Sequence, residues 1–420
     1  MICSALLLKQ EINMIKRPEL LAPAGDRERF DSALAAGADA IYVGSTMFSM
    51  RAAPKNFDFD ELSQICSLSH EKGVKIYLTL NTLPKNSEVA LLPEYIKSSA
   101  AAGVDAFIVA DVGVMSLCKK YAPEVDVHIS TQAGVVNYLT ANEFYNLGAK
   151  RIVTARELSL EDIAEMRAKT PKELEIECFV HGAMCVSFSG RCLISNYLLG
   201  RDANRGECAQ PCRWEYYLMQ KDRQGNYFPI DQNNNGTYIL NSKDMCMIEH
   251  IADLVKAGVD SFKIEGRAKS AYYTAVITNA YRMAIDGYLE NPSDSYVPEQ
   301  WIIDETRKVS YREYGTGFYY EAPSVNANVS YEGGYRREWD VMAVVEKCED
   351  GCICAEQRNK FCVGDELEAL TFGEKPQSFT VSELLDADGN PIESAPHPMM
   401  KLKIKSELNL KPGTLLRKQS

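Results

Sequence analysis

Apolar and polar positions alternate in blocks along the first 270 residues, and one phrase returns. It reads AAGADAIYVG from Ala35, AAGVDAFIVAD from Ala101, NLGAKRIVTAREL from Asn146 and KAGVDSFKIEGR from Lys256. Each copy follows a stretch of helical periodicity (FDSALAA, EYIKSSAA, ANEFYN, IEHIADLV) and ends in a short β-branched apolar run. The glycine falls where a helix C-terminus needs a left-handed residue. The apolar run has the length and continuity of a parallel strand buried on both faces. Between the copies lie further strand candidates: ELLAPAG at Glu19, KIYLTLN at Lys75, VDVHIST at Val125 and LEIECFVHG at Leu174. DFDELSQICSLSHEKG and SLEDIAEMRAKT supply helices in the gaps. About eight βα units in series predict an α/β fold, a (β/α)8 TIM-like barrel. A doubly wound open sheet is the second reading. No GxGxxG follows the first strand, so nothing favours a dinucleotide site.

The pattern then changes. SAYYTAVITNAYRMAIDGYLEN, from Ser270, reads as a long amphipathic helix, and PEQWIIDETRKVSYREYGTGFYY as a further helix and a turn. From about Glu338 short strands follow one another at turn-separated intervals, as in a small all-β barrel or sandwich. The expected domains are a barrel over residues 1–335, with C-terminal helices and a cysteine-rich insertion after strand seven (about 183–246), and a β domain over 336–420.

In such barrels chemistry sits at the C-terminal strand ends. Those ends carry Met47 to Arg51, Asn81, Asp111, Ser130 to Gln132, Arg156 with Glu157, His181, and Glu265 to Arg267. The insertion follows strand seven and so hangs over the mouth.

The formal net charge of −12 excludes a polycation that coats nucleic acid; RNA would need a local basic patch. The apolar run Ala5 to Leu8 lacks the flanks of a secretory signal, and no stretch is long enough to span a bilayer. MIKRPELLAPAG leads into the first strand, which points to Met14 as the start. A cytoplasmic protein is expected, with neither membrane nor DNA as partner. In a reducing compartment the 13 cysteines favour metal or thiol chemistry over disulfides.

Cys185, Cys192, Cys208, Cys212 and Cys246 fall in the insertion, the first four spaced C-x6-C-x15-C-x3-C. Structural zinc prefers two close pairs. Iron–sulfur clusters tolerate wider spacing. Iron–sulfur, zinc and unrelated buried thiols stay open on spacing alone. The other cysteines, including those of CEDGCIC, read as small apolar fillers. His181 beside Cys185 could form a thiol–imidazole pair, but the chain has no HExxH helix and no GxSxG elbow.

Glu177 to Ser195, ECFVHGAMCVSFSGRCLIS, fills every fixed position of E-x-F-x-x-G-A-x-C, four residues, G-x-C, x, aliphatic, S. With ELLAPAG, NRGECAQPCRWEY, NSKDMC and FKIEGR, it resembles the signature of the peptidase U32 family over nearly the whole chain. The resemblance implies a 4Fe–4S cluster on Cys185, Cys192, Cys208 and Cys246, with Cys212 as the substitute for Cys246 or a free thiol nearby. It implies oxygen-independent hydroxylation of the tRNA wobble uridine, with prephenate as hydroxyl donor. A 23S rRNA cytidine is the alternative target, and a collagenase-like peptidase the alternative activity. A paralogous U32 subunit is an expected partner beside tRNA.

A dicarboxylate such as prephenate needs cationic clamps, since guanidinium pairs bidentately with carboxylate. Arg51, Arg156, Arg267 and Lys263 are the candidates, with Glu265 beside them; each could instead pair with a barrel carboxylate. His181, Arg156 and Arg267 are the candidate catalytic residues, and His128 a second histidine placed for proton transfer. For RNA, Arg191, Arg201, Arg205 and Arg213 lie near the mouth. Lys401, Lys403 and Lys405 share one face of a strand, which reads equally as a solvated face.

Overall fold

The computed structural model describes residues 16–49, 55–185, 187–190, 192, 194–203, 206–214, 218–219, 227–228, 232–233, 236–237, 242–321 and 335–420. Met14, Arg51, Arg191 and Arg205 lie outside the described residues.

All eight expected strands form. They are β1 (Glu19–Ala24), β2 (Ala40–Gly44), β3 (Lys75–Leu80), β4 (Ala106–Val109), β5 (Asp126–Ile129), β6 (Arg151–Val153), β7 (Glu175–Ala183) and β8 (Ser261–Ile264). Each pairs in parallel with the next, and β8 pairs with both β7 and β1, which closes the barrel. The open-sheet reading is thereby set aside. Helices alternate with the strands: α1 (Arg27–Ala35), α2 (Phe59–His70), α3 (Leu92–Ala101), α4 (Val112–Tyr121), α5 (Tyr138–Asn146), α6 (Leu160–Ala168), α7 (Ile251–Lys256) and α8 (Ala271–Glu290). Side-chain caps at Asp26, Asp58, Asp111, Asn137 and Ser159 start five of them by satisfying first-turn N–H groups. The repeated glycines, Gly37, Gly103, Gly148 and Gly258, all have φ between 80° and 96°. That left-handed turn drops the chain from helix into strand.

The barrel interior is not wholly apolar. Leu21, Ala40, Tyr42, Tyr77, Ala106 and Ile108 cluster there. Beside them Arg151 on β6 donates to Glu175 and Glu177 on β7 and reaches Glu19 on β1. Strands six and one are not neighbours, so this last bond crosses the barrel.

The insertion after β7 returns as a short strand, Asp244–Cys246, antiparallel to β7. Asp244 is buried against Arg312, which donates to it from Nε and Nη2 at 2.9 and 2.6 Å. Among the described residues no helix is long and apolar enough to cross a membrane.

A second compact unit comprises residues 300–310 and 336–420. Residues 300–310, expected with the barrel, belong instead to this unit. Buried Arg417 holds Glu305 there, donating at 2.6 and 2.7 Å. Its sheet contains β9 (Trp339–Glu349), β10 (Cys352–Gln357), β11 (Glu366–Leu370), β12 (Gln377–Thr380), β13 (Leu384–Asp386), β14 (Pro391–Ile392), β15 (Lys401–Lys405) and β16 (Leu415–Gln419). The order is β12-β11-β16-β9-β10-β15-β13-β14, antiparallel throughout. The turn inside CEDGCIC is Asp350–Gly351, both at positive φ, which joins β9 to β10 as a tight hairpin.

Candidate active site

The C-terminal strand ends of the barrel enclose a cavity of about 240 Å³. Its barrel wall is Tyr42, Thr79, Asn81, Ile108, Ser130, Gln132, Val153, Arg156, Phe179, Lys263, Glu265 and Arg267. Its other wall comes from the insertion and includes Cys185, Cys192, Cys208 and Cys212. The insertion is tied down by Glu157, which accepts from the Ser189 backbone N–H and hydroxyl, both at 2.7 Å.

The three cations are fixed differently. Arg156 lies 3.8 Å over the Phe179 ring, donates to the Ala183 carbonyl at 2.7 Å and stands 3.9 Å from Glu265. Arg267 is buried and donates to the Thr79 hydroxyl at 2.7 Å. Its guanidinium passes so close to Gly44 that a Cβ there would stand 2.2 Å from Nη1. Lys263 donates to Glu177 at 2.6 Å and sits 4.6 Å over the Tyr42 ring.

Four of the five insertion cysteines thus line one space. The backbone N–H groups of Ile194 and Gln210 donate to the sulfurs of Cys192 and Cys208, each at 3.4 Å. An all-sulfur donor set suits iron–sulfur or zinc. The described residues contain no three His, Cys, Asp or Glu side chains gathered to metal-binding distance. Cys246 does not line the cavity. It lies opposite His181 in the strand register and against the Tyr281 hydroxyl.

His181 is not in the cavity wall either. The β7–β8 register shifts between Lys263 and Ile264, whose partners are Phe179 and His181. This bulge re-aims the chain, as bulges do. The imidazole is buried among tyrosines, with Nδ1 3.3 Å from the Tyr281 hydroxyl and Nε2 3.4 Å from that of Tyr314. Burial pushes its pKa down to about 3, so it is neutral at physiological pH. His128 stands in the barrel interior, edge-on to Tyr77 at 4.7 Å and outside the described lining. Burial, then Arg151 and Lys263, holds its pKa well below the usual range. Asp111 caps α4.

Two of the three lysines of the β15 face are already partnered. Lys401 pairs with Glu346 and Glu356, and Lys405 with Glu383 at 3.0 Å. Arg201 is exposed and donates to the Glu207 carbonyl. Thr79, Tyr42 and Phe179 also line the cavity, and reasoning from the strand ends does not reach them. Their signal is their place on β3, β2 and β7, one or more residues before the polar strand ends.

The fold and site define a TIM-type barrel enzyme architecture with a cysteine-lined mouth and a separate β unit. The chain belongs to peptidase family U32: the family profile matches residues 25–328, and that of the U32 C-terminal domain matches 337–417. It is 35% identical over 407 residues to tRNA hydroxylation protein P1 of Bacillus subtilis, covering 96% of this chain and 95% of that one. It is 35% identical to tRNA hydroxylation protein P2 of the same organism, covering 73% of this chain and 99% of the relative. The 23S rRNA 5-hydroxycytidine C2501 synthase of Escherichia coli is 36% identical over 70% of this chain and 44% of its own length.

Proposed function

We propose that this chain is an RNA hydroxylase that places a hydroxyl on C5 of the tRNA wobble uridine without oxygen, with prephenate as donor. The observation that carries the reading is one cavity lined by four cysteines and three cations. The names of its relatives support RNA hydroxylation as the reaction class. A 4Fe–4S cluster would be held by Cys185, Cys192 and Cys208, with Cys246 or Cys212 as fourth ligand, and would supply one-electron chemistry beside the substrate.

The chain's own residues have separable tasks in this reading. Arg156, Arg267 and Lys263 hold the carboxylates of the donor; the short bonds to Ala183, Thr79 and Glu177 fix where they stand. Phe179 and Tyr42 give the cavity flat apolar faces, fit for a ring. The target base must leave its stack to enter a cavity of this size. Cytoplasmic tRNA is the partner, and a paralogous U32 chain a second one, as the P1 and P2 pair suggests.

A ribosomal RNA cytidine is the second reading, favoured by the resemblance to the E. coli synthase. The peptidase reading is weakened by His181, whose ring nitrogens face tyrosine hydroxyls and not a thiol of the cavity. Mass spectrometry of nucleosides from a strain lacking the gene tests all three. Loss of 5-hydroxyuridine and its derivatives from tRNA is expected. Loss confined to rRNA 5-hydroxycytidine transfers the activity to the ribosome, and no change in either RNA ends the hydroxylase reading.

A further inference from the structure

We propose that Phe188, on the insertion, is a stacking platform for a nucleobase that flanks the target base in a single-stranded RNA loop. The proposal rests on the reading of this chain as an RNA hydroxylase and adds a residue that holds the RNA beside the cavity.

Phe188 and Ser189 are neighbours that face opposite ways. Ser189 is buried and lines the cavity, whereas Phe188 is 50% exposed. Ser189 adopts φ 43° and ψ 34°, a left-handed conformation that favours glycine. Glu157, from the loop after β6, holds it there by accepting from its N–H and its hydroxyl, both at 2.7 Å. A left-handed residue other than glycine persists where its surroundings over-determine it, and such residues collect at functional sites. What this one delivers is a phenyl ring turned outward at the rim. Gly134, in the turn after β5, lies beside the ring: a Cβ there would stand 3.5 Å from Phe188 Cε1. The ring is thus stationed by the loops that follow β5 and β6.

What covers the ring follows from what the cavity takes. A base that leaves its stack to enter a cavity of about 240 Å³ leaves each neighbouring base with an uncovered face. Consecutive Cα atoms are about 3.8 Å apart, so the Phe188 Cα is that close to the Cα of a residue in the cavity wall. A nucleotide next to the target therefore passes the ring. Aromatic side chains hold unstacked bases in this way, because every base has a π face. Stacking also suits the charge balance. The chain carries a net charge of −12, and Lys401 and Lys405 already face carboxylates, so a general attraction for phosphate is weak. A protein partner seated on Phe188 would instead obstruct the mouth that the RNA must enter.

The test measures binding of an RNA hairpin carrying the tRNA anticodon loop to anaerobically purified protein, by fluorescence anisotropy over a range of salt. Phe188→Ala should weaken binding about 5-fold to 150-fold, the worth of one base–aromatic stack. The log–log salt slope should not change, because no phosphate contact is removed. Phe188→Leu keeps apolar packing without a π face and should bind as weakly as Phe188→Ala, while Phe188→Tyr should bind like wild type. Undiminished binding by Phe188→Ala, or a leucine variant as tight as wild type, overturns the proposal. An abasic nucleotide on either side of the uridine completes a double-mutant cycle. On one side it should cost the wild type what Phe188→Ala costs, and cost the alanine variant nothing further. Losses that add on both sides overturn the stack. Should Phe188→Ala fail to fold, Phe188→Leu takes its place in the cycle. Wild-type protein that ignores the tRNA hairpin but binds one with an rRNA loop cytidine, with the cycle intact, moves the target to rRNA and leaves the stack standing. Wild-type protein that binds neither hairpin overturns the stack together with the RNA reading.

Discussion

The chain has two concentrations of cysteine, and they behave in opposite ways. CEDGCIC is the denser in sequence, yet its thiols diverge. Cys348 donates to the carbonyls of Leu408 and Leu410, while Cys354 lies by Glu349 on the facing strand. A hairpin spreads neighbours along two strands, so density there gathers nothing. The mouth cysteines are spread over 28 residues, from Cys185 to Cys212, and converge on one cavity. Two of them accept backbone N–H bonds. A third group, Cys66, Cys118 and Cys178, shows what filler thiols look like: buried, with burial pushing each pKa up to about 12. What separates the mouth cysteines from fillers is that they line one cavity from across the fold, with backbone N–H groups aimed at two of the sulfurs. Spacing along the chain carries little of that.

The largest effect expected from this contrast is in iron. Protein purified anaerobically should hold about four irons per chain. Serine at Cys185, Cys192 or Cys208 should bring that near zero, whereas serine at Cys352 or Cys354 should leave it unchanged. Iron lost from the β-unit variants would erase the distinction; a colourless protein with about one zinc per chain would replace the cluster with a zinc site.

The fourth ligand sharpens the same contrast. The resemblance points to Cys246, but Cys212 lines the cavity and Cys246 rests against Tyr281. If the insertion keeps this arrangement when loaded, Cys212→Ser should lose the iron and Cys246→Ser should retain most of it. The opposite result means that the strand Asp244–Cys246 turns its thiol toward the mouth on loading.

A smaller effect belongs to the cations. Arg267→Lys keeps the charge but cannot reproduce the guanidinium fork beside Thr79 and Gly44. Hydroxyuridine formation should fall about tenfold to a hundredfold, the loss of roughly one bond to a charged group, with iron content intact. Lost iron would make Arg267 structural.

The fold was legible because the repeated glycine phrase sets helix, turn and strand in a fixed order, and every copy folds alike. The mouth was legible in part. Arg156, Lys263, Glu265 and Arg267 line the cavity, as their place at the strand ends leads one to expect. His181 stands outside the cavity wall, beside a bulge one residue earlier in β7, and a bulge leaves no mark in the hydrophobic alternation. The network of Glu19, Arg151, Glu175 and Glu177 was invisible for a related reason. Each residue alone looks like the polar start of a strand, and only barrel closure brings β1 against the charges of β6 and β7. Residues 300–310 read as a continuation of the helical region, because their partner, Arg417, lies more than a hundred residues away in sequence.

The smallest expected effect concerns the lysines of β15. If RNA phosphates lay on Lys401, Lys403 and Lys405, neutralising all three would reduce the log–log salt slope of tRNA binding by roughly 0.7 to 0.9 for each phosphate released. Two of them already face carboxylates: Lys401 two, Lys405 one. Exposed pairs like these are weakly held, so phosphates could compete for them, but each displaced carboxylate would then repel the RNA. Lys403 makes no ion pair among the described residues. A Lys401→Gln, Lys403→Gln, Lys405→Gln variant should therefore change the slope by about 0.7 to 0.9 at most, the share of a single phosphate. A change worth two or more phosphates would show that these lysines abandon their carboxylates for RNA, and would make the β unit an RNA-binding surface. No change at all leaves β15 as a solvated face whose charges balance one another.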